Sequence, residues 1–330
     1  MVSPDAIEGE ISLGSRAFSL EHTLACGQVF RWRRVDGWWY GVVGEDVVRV
    51  RQERGRLLFG ATGGGGADLI ERYFRLDDDL PSILASIGKD DGIGEAIRAS
   101  HGLRIIRQRP WECLVSYVCS ANASIRKISA VLDELSRRFG KKVVLDRYVG
   151  HTFPSPETLA RADLARLGGC GFRFGMGQAM DVKEIARRVS EGELDLEGLR
   201  GLGYEGAAEA LRSLPGVGRK VADCVLLFSL DRLVAFPVDV WVKRAVLTLY
   251  GDRFERSFVE RAKRRSSVSA KEYDAISAFG REYFGSYAGY AQEYLFYWAR
   301  RRMPRAKGAP QTRALRGTED VTYEYLARSL

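Results

Sequence analysis

Two residues in this sequence are well suited to covalent chemistry: a lysine and, nineteen residues later, an aspartate, each at the start of an apolar helical pattern. Lys220 ends the run Leu214-Pro215-Gly216-Val217-Gly218-Arg219-Lys220, and Asp239 ends Phe236-Pro237-Val238-Asp239. A neutral amine can add to a sugar or carbonyl carbon to give a Schiff base. The positive end of a helix dipole favours that neutral form over the ammonium. A carboxylate close by can stabilise a cationic sugar in the transition state. Taken singly, the lysine reads equally well as a phosphate contact and the aspartate as a helix N-cap.

The elements that must position this pair are legible around it. Pro215 fixes φ, while Gly216 and Gly218 permit positive φ and close backbone approach, so 214–218 reads as a tight hairpin. Val221, Val225 and Phe228 then bury one side of a helix and leave its N-terminus facing outward. Glycine N–H groups beside such a terminus form an anion site, and DNA phosphate is the obvious anion. A second apolar helix, 240–250, begins at Asp239.

The whole chain supports a polyanionic partner. Its 330 residues carry 51 Lys and Arg against 43 Asp and Glu, a formal charge of +8, and the isoelectric point is near 9.3. Hydrophobic residues make up 45% and charged residues 28%, as in ordinary globular proteins. Neither a long apolar run nor a signal-like N-terminus is present, so no membrane span or secretion is expected. The five cysteines (26, 113, 119, 170 and 224) have no close repeated spacing and are odd in number, which points to a reducing intracellular compartment. The three histidines are scattered, so no metal site is expected.

In chain order, 18–59 reads as an antiparallel sheet, with strands at 29–32, 38–43, 47–50 and 57–59 separated by turns such as Asp36-Gly37 and Arg54-Gly55. The glycine run 63–66 reads as a joint, and beyond Asp79 nearly every segment has helical period. Pro110 opens one helix and Ile125 begins a stripe closed by Gly140. Ser155-Pro156 opens another helix, and a longer one runs over 174–189. The expected domains are 1–90, an antiparallel sheet; 91–302, helical; and 303–330, a tail without an assigned role.

Several blocks in a consistent order resemble one family. The hairpin with Lys220-Val221-Ala222-Asp223-Cys224 and Pro237-Val238-Asp239-Val240 resembles the 8-oxoguanine DNA glycosylases of the helix-hairpin-helix, Gly/Pro-Asp (HhH-GPD) superfamily. So do 26–32, 107–122 and 287–296; together the similarity covers roughly residues 17–300. The resemblance implies an α+β, mostly α fold: an N-terminal antiparallel sheet beside two helical subdomains, with the active site in the cleft between the helical pieces. It implies a bifunctional glycosylase and AP lyase acting on duplex DNA that contains 8-oxoguanine, preferably opposite cytosine. The enzyme would be a monomer. No cofactor would be required, with a monovalent cation at the hairpin as the one addition. The four closely spaced C-terminal cysteines of iron–sulfur relatives are missing after Cys224.

The same resemblance assigns roles residue by residue. Lys220 would attack C1′ and Asp239 would stabilise the oxocarbenium-like sugar. Gly27 would accept from N7–H, a hydrogen that 8-oxoguanine has and guanine lacks, and Gln292 would read the Watson–Crick edge. Phe296 and Cys224 would sandwich the base. Asn122 would fill the space beside the estranged cytosine, Phe172 would be the aromatic wedge and Arg173 would bond the cytosine. Lys127 would assist as a basic neighbour, and Gly216 and Gly218 would meet the backbone. Trp241 stands where the family has a histidine near the DNA backbone. The alternatives are a relative acting on another damaged base and a noncatalytic DNA-binding module; the latter has no use for Lys220 paired with Asp239.

Overall fold

The computed structural model describes residues 6–304, and the expected tail lies outside the described residues beyond Pro304. Five antiparallel strands form the N-terminal sheet: β1 (Ile7–Ser12), β2 (Arg33–Val35), β3 (Trp38–Val43), β4 (Asp46–Glu53) and β5 (Arg56–Ala61), in the order β1-β5-β4-β3-β2. Strand alternation divides β4 cleanly. Val48 and Val50 face a core made with Leu57, Phe59, Ile70 and Phe74, while Val47 and Arg49 face the opposite side. Helices α1 (Leu20–Ala25) and α2 (Gly66–Tyr73) cover the first face.

The helical half contains α3 (Leu80–Ile87), α4 (Asp91–Ala99), α5 (Pro110–Cys119), α6 (Ile125–Phe139), α7 (Pro156–Arg161), α8 (Leu164–Gly168), α9 (Met176–Ser190), α10 (Tyr204–Arg212), α11 (Arg219–Ser229), α12 (Val240–Leu249), α13 (Arg256–Arg264), α14 (Ala270–Phe284) and α15 (Ala288–Arg302). Its core runs continuously from Leu80 to Ala299, so α3 and α4 pack with the later helices. Hydrophobic burial of this extent is the main stabilising term. The expected α+β, mostly helical architecture is the observed one.

Four features depart from the sequence reading, the first being α1, a helix within 18–59 whose start is capped by Ser19 accepting from the His22 N–H. Residues 26–32 form a loop after α1 instead of a strand. The cause is Gln28, 1% exposed, whose amide donates to the carbonyls of Thr23 (3.0 Å) and Arg104 (2.8 Å) and accepts from the Ile106 N–H (2.8 Å), which leaves no strand ladder to form. β1 was not expected, since of its residues only Ile11 is buried. A small hairpin, β6 (Lys142–Leu145) and β7 (Tyr148–His151), interrupts the helical series. It leans on the sheet through a Tyr40–Tyr148 stack (4.9 Å) and an Arg49–Asp146 ion pair (2.6 Å).

The two halves are also joined by charge. Asp231 accepts from Arg75, Arg107 (3.2 Å) and Arg200 (2.7 Å), and Arg75 is 2% exposed. Burial alone would raise the Asp231 carboxyl, but the three arginines bring it below the usual range.

Candidate active site

α10 and α11 flank the hairpin, and the turn between them sets the lysine. Gly216 has φ +71°, and a Cβ there would stand 2.9 Å from Asp181 Oδ2, so glycine is required. Gly218 differs from expectation: it is extended (φ −90°) because it serves as the N-cap of α11, a position that takes extended backbone. Lys220 follows, half-buried in the first helical turn. Its Nζ donates to Ser120 Oγ (3.0 Å) and lies 5.4 Å from the Tyr117 ring centre.

Ser120 can hold the lysine because its own hydroxyl hydrogen is committed elsewhere. Oγ donates to the Tyr117 carbonyl (2.7 Å), leaving lone pairs for Nζ. Tyr117 is fixed in turn by a parallel stack on Phe228 of α11 (5.5 Å) and by donation to the Gln28 carbonyl (3.2 Å). The sequence carries no local signal of this role for Ser120, whose partner lies 100 residues away.

Asp239 caps α12, and its Oδ1 accepts from the N–H groups of Trp241 and Val242 at 2.8 Å each. Burial pushes the carboxyl up; the two amides and the charge of Lys220 oppose this without cancelling it. The Trp241 ring is partly exposed under the Arg244 guanidinium, 4.9 Å from its centre.

On the base-pocket side, Gly27 has φ +109°, and a Cβ would be 2.7 Å from Ile125 Cδ1 and 2.8 Å from Arg300 Nη1. Phe296 Cε1 lies 3.7 Å from the same point. Arg300 donates to the Cys26 carbonyl (2.7 Å) and stacks on the Phe296 ring at 5.2 Å, so it fills the space between the two. Cys224 is one helical turn beyond Lys220. Burial pushes its thiol up to about 12, against the pull of the lysine charge, so it is neutral at physiological pH. Gln292 is 5% exposed, and its Oε1 has no hydrogen-bond partner among the described residues.

Glu293 went unnoticed in the sequence, although an acid inside Tyr290-Ala291-Gln292-Glu293-Tyr294-Leu295-Phe296 was a signal. It is 2% exposed, and its Oε1 also lacks a partner among the described residues. Burial pushes the carboxyl up to about 7. A hydrogen bond with Cys26 and the charge of Arg300 restrain the rise, while Asp239 adds to it.

The remaining expected residues lie in the turn between α5 and α6, in the first turn of α6 and in the loop before α9. Asn122 is exposed, with φ +51°, in the turn joining α5 and α6, and Ser124 caps α6. Lys127 and Arg173 are exposed, and Lys127 Nζ is 3.5 Å from where a Gly171 Cβ would stand. Phe172 is only 6% exposed and belongs to the helical core, so its ring offers little surface for insertion. Phe174, two residues on, is 56% exposed.

No group of three or more His, Cys, Asp or Glu among the described residues could hold a metal ion, and no described helix is long and apolar enough to cross a membrane.

The lysine–aspartate geometry can be set beside known proteins. Residues 10–114 match the N-terminal domain of 8-oxoguanine DNA glycosylase, and 115–265 match the HhH-GPD superfamily of base excision DNA repair proteins. The probable N-glycosylase/DNA lyase of Methanothermobacter thermautotrophicus is 31% identical over 316 residues, covering 86% of this chain and 94% of its own. This chain belongs to the 8-oxoguanine DNA glycosylase/lyase family. The N-glycosylase/DNA lyase of Saccharomyces cerevisiae is similar to this family member at 30% identity, with 87% and 85% of the two chains covered. The Clostridium acetobutylicum 8-oxoguanine glycosylase/lyase, solved with double-stranded DNA containing cytosine opposite 8-oxoguanine, superposes with a TM-score of 0.78. It is 32% identical, and 91% of this chain and 97% of that one are covered.

Proposed function

We propose that this enzyme flips 8-oxoguanine, preferably paired with cytosine, out of duplex DNA, excises it through a Schiff base on Lys220 and then nicks the strand by β-elimination. The observation that carries the reading is Lys220 Nζ, held by Ser120 at the head of α11 within electrostatic reach of the carboxyl that caps α12. A base inside a duplex is out of reach of any such amine, so flipping must come first. Nζ attacks C1′ as the C1′–N9 bond breaks, and Asp239 stabilises the cationic sugar. The C1′–O4′ bond then breaks, the ring oxygen taking up a proton released by the amine and remaining as the C4′ hydroxyl, and a C1′=N iminium results. This acidifies C2′; its proton leaves and the C3′–O bond breaks, expelling the phosphate.

Selection of the base falls to Gly27, Gln292, Phe296 and Cys224. The Gly27 carbonyl accepts N7–H from the oxidised base and repels the N7 lone pair of guanine, so one hydrogen bond separates nearly identical substrates. Arg300 must swing off Phe296 for a base to stack there. Asn122, Lys127, Arg173, Trp241 and the amides around Gly216 and Gly218 serve the DNA backbone and the estranged cytosine. The sheet domain 1–90 and helical domain 91–302 form the cleft jointly. A monomer without a required cofactor, with a monovalent cation at the hairpin, in a reducing compartment that contains DNA, fits five free buried cysteines and a basic chain.

Borohydride trapping on a duplex with 8-oxoguanine opposite cytosine tests the reading. A covalent adduct with the wild type, and none with Lys220→Gln or with undamaged DNA, is the expected result. Lesion binding without any adduct would sink the Schiff-base step.

A further inference from the structure

We infer that Arg300 holds the place of the flipped base in the free enzyme and passes to the buried Glu293 carboxylate when a base enters, so that the two residues together set access to the base pocket. This rests on the base-pocket reading above and gives Glu293 a task in the reaction.

Helical spacing puts the participants in one stripe. Glu293, Phe296 and Arg300 stand three and then four residues apart on α15 and so share a face. Cys26, in the loop after α1, ties the ends of that stripe together. Its carbonyl accepts from Arg300 Nη1 at 2.7 Å, and its thiol is hydrogen-bonded with Glu293. The guanidinium and the carboxyl are thus held by one residue, and each lies in the field of the other.

In this position Arg300 excludes a base. Its guanidinium stands 5.2 Å from the Phe296 ring centre, and Nη1 is 2.8 Å from where a Gly27 Cβ would be. A purine stacked on Phe296 with its N7–H on the Gly27 carbonyl needs the same volume. Both of these partners of Arg300 are neutral, a carbonyl and a ring, so a charged acceptor can replace them.

Two carboxyls feel the Arg300 charge, and only one of them has a buried oxygen without a partner among the described residues. Asp239 Oδ1 already accepts from the Trp241 and Val242 amides, and its carboxyl also faces the Lys220 charge. Glu293 is 2% exposed, and its Oε1 is the unpaired atom. An unpaired buried oxygen is costly, and a guanidinium removes that cost through a charge-assisted bond. The base in turn gains the ring that the guanidinium leaves.

Glu293 must be ionised to receive Arg300. Burial raises its carboxyl to about 7, so near neutral pH it gives a proton to solvent as the guanidinium arrives. Of the titratable groups facing it, Cys26, Tyr117 and Cys224 are raised by burial and stay neutral in this range. Arg300 and Asp239, with Lys220 beyond Asp239, are the charges around it.

The test follows single-turnover excision by the full chain on a duplex with 8-oxoguanine opposite cytosine, reading the half-saturating concentration and the maximal rate separately. Lys220 and Asp239 act on the maximal rate, so half-saturation isolates base entry. In the wild type it should tighten about tenfold between about pH 6 and about pH 8, as expected for a group ionising near 7 that loses its proton on entry. Glu293→Gln keeps the shape; it should lose this pH dependence and weaken half-saturation at about pH 8 roughly 10- to 150-fold, the range for one hydrogen bond to a charged group. Arg300→Ala should lose the pH dependence without weakening, and adding it to Glu293→Gln should restore half-saturation, since no guanidinium then needs a receiver. Borohydride trapping on a preformed abasic duplex, with no base to admit, should stay within about twofold of wild type in all three variants. Wild-type half-saturation by Glu293→Gln at both pH values would overturn the inference while leaving the glycosylase reading intact. A Glu293→Gln defect that Arg300→Ala fails to relieve would also overturn it, making Glu293 a structural carboxyl. A wild type that neither excises nor traps on either duplex would bring both readings down.

Discussion

Lys220 Nζ and Ser120 Oγ, 100 residues apart in sequence, meet at 3.0 Å because α5 ends where α11 begins. The serine has spent its own hydrogen on the Tyr117 carbonyl, so it can only accept from the amine. Ser120→Ala should slow Schiff-base trapping roughly tenfold by letting Nζ wander from its attack position. Duplex affinity should not change, and Ser120→Thr should restore most of the rate. A trapping rate for Ser120→Ala equal to wild type would show that the hydroxyl does not position the amine.

Asp239 combines two tasks that substitution can separate. An asparagine still accepts from the Trp241 and Val242 amides through its side-chain oxygen, so Asp239→Asn should keep the cap and melt at or above the wild-type temperature. It lacks the charge, and excision should fall on the order of a hundredfold. Asp239→Ala should lose the same activity and also about 1 kcal/mol of stability. Equal melting temperatures for the Asn and Ala variants would argue that the cap is energetically idle.

The hairpin and the starts of α5, α6, α7, α11 and α12 were legible in the sequence because proline, glycine and N-cap chemistry act locally. What was hidden depends on distant partners. Residues 26–32 look strand-like, yet Gln28 is claimed by Thr23, Arg104 and Ile106. Lys142–Leu145 and Tyr148–His151 are too short to declare themselves, and the sheet residues Tyr40 and Arg49 explain their position. Phe172 and Phe174 look equivalent on paper. Only packing shows that one ring is in the core and the other in solvent.

Gly27 is the position least able to accept a side chain. Its φ of +109° disfavours any L-residue, and a methyl would press on Ile125 Cδ1 and Arg300 Nη1. Arg300 is flexible and can retreat, but the backbone strain stays. Gly27→Ala should cost about 1–3 kcal/mol in thermal melts. It should also weaken binding to a lesion duplex more than to an undamaged one, since the methyl would stand beside the ring that receives the base. Equal loss on both duplexes would remove Gly27 from lesion recognition.

Glu293 should make stability depend on pH in an unusual direction. Its carboxyl is raised to about 7 in the fold, chiefly by burial, whereas an unfolded glutamate ionises near 4.3. The folded state therefore binds the proton more tightly. Stability from this group is fully present below the unfolded value and is lost as pH rises toward and through about 7, by on the order of 3 kcal/mol. Asp239, also raised by burial, acts in the same sense. Around Glu293 the charged and titratable groups are Cys26, Arg300, Asp239, Cys224 and Tyr117; the cysteines and tyrosine are raised and stay neutral through this window. Glu293→Gln keeps the shape and removes the titration. Its melting temperature should match wild type at about pH 4 and exceed it by several degrees at about pH 8. Parallel melting curves across that interval would mean that the carboxyl finds a partner in solution and never carries the burial cost.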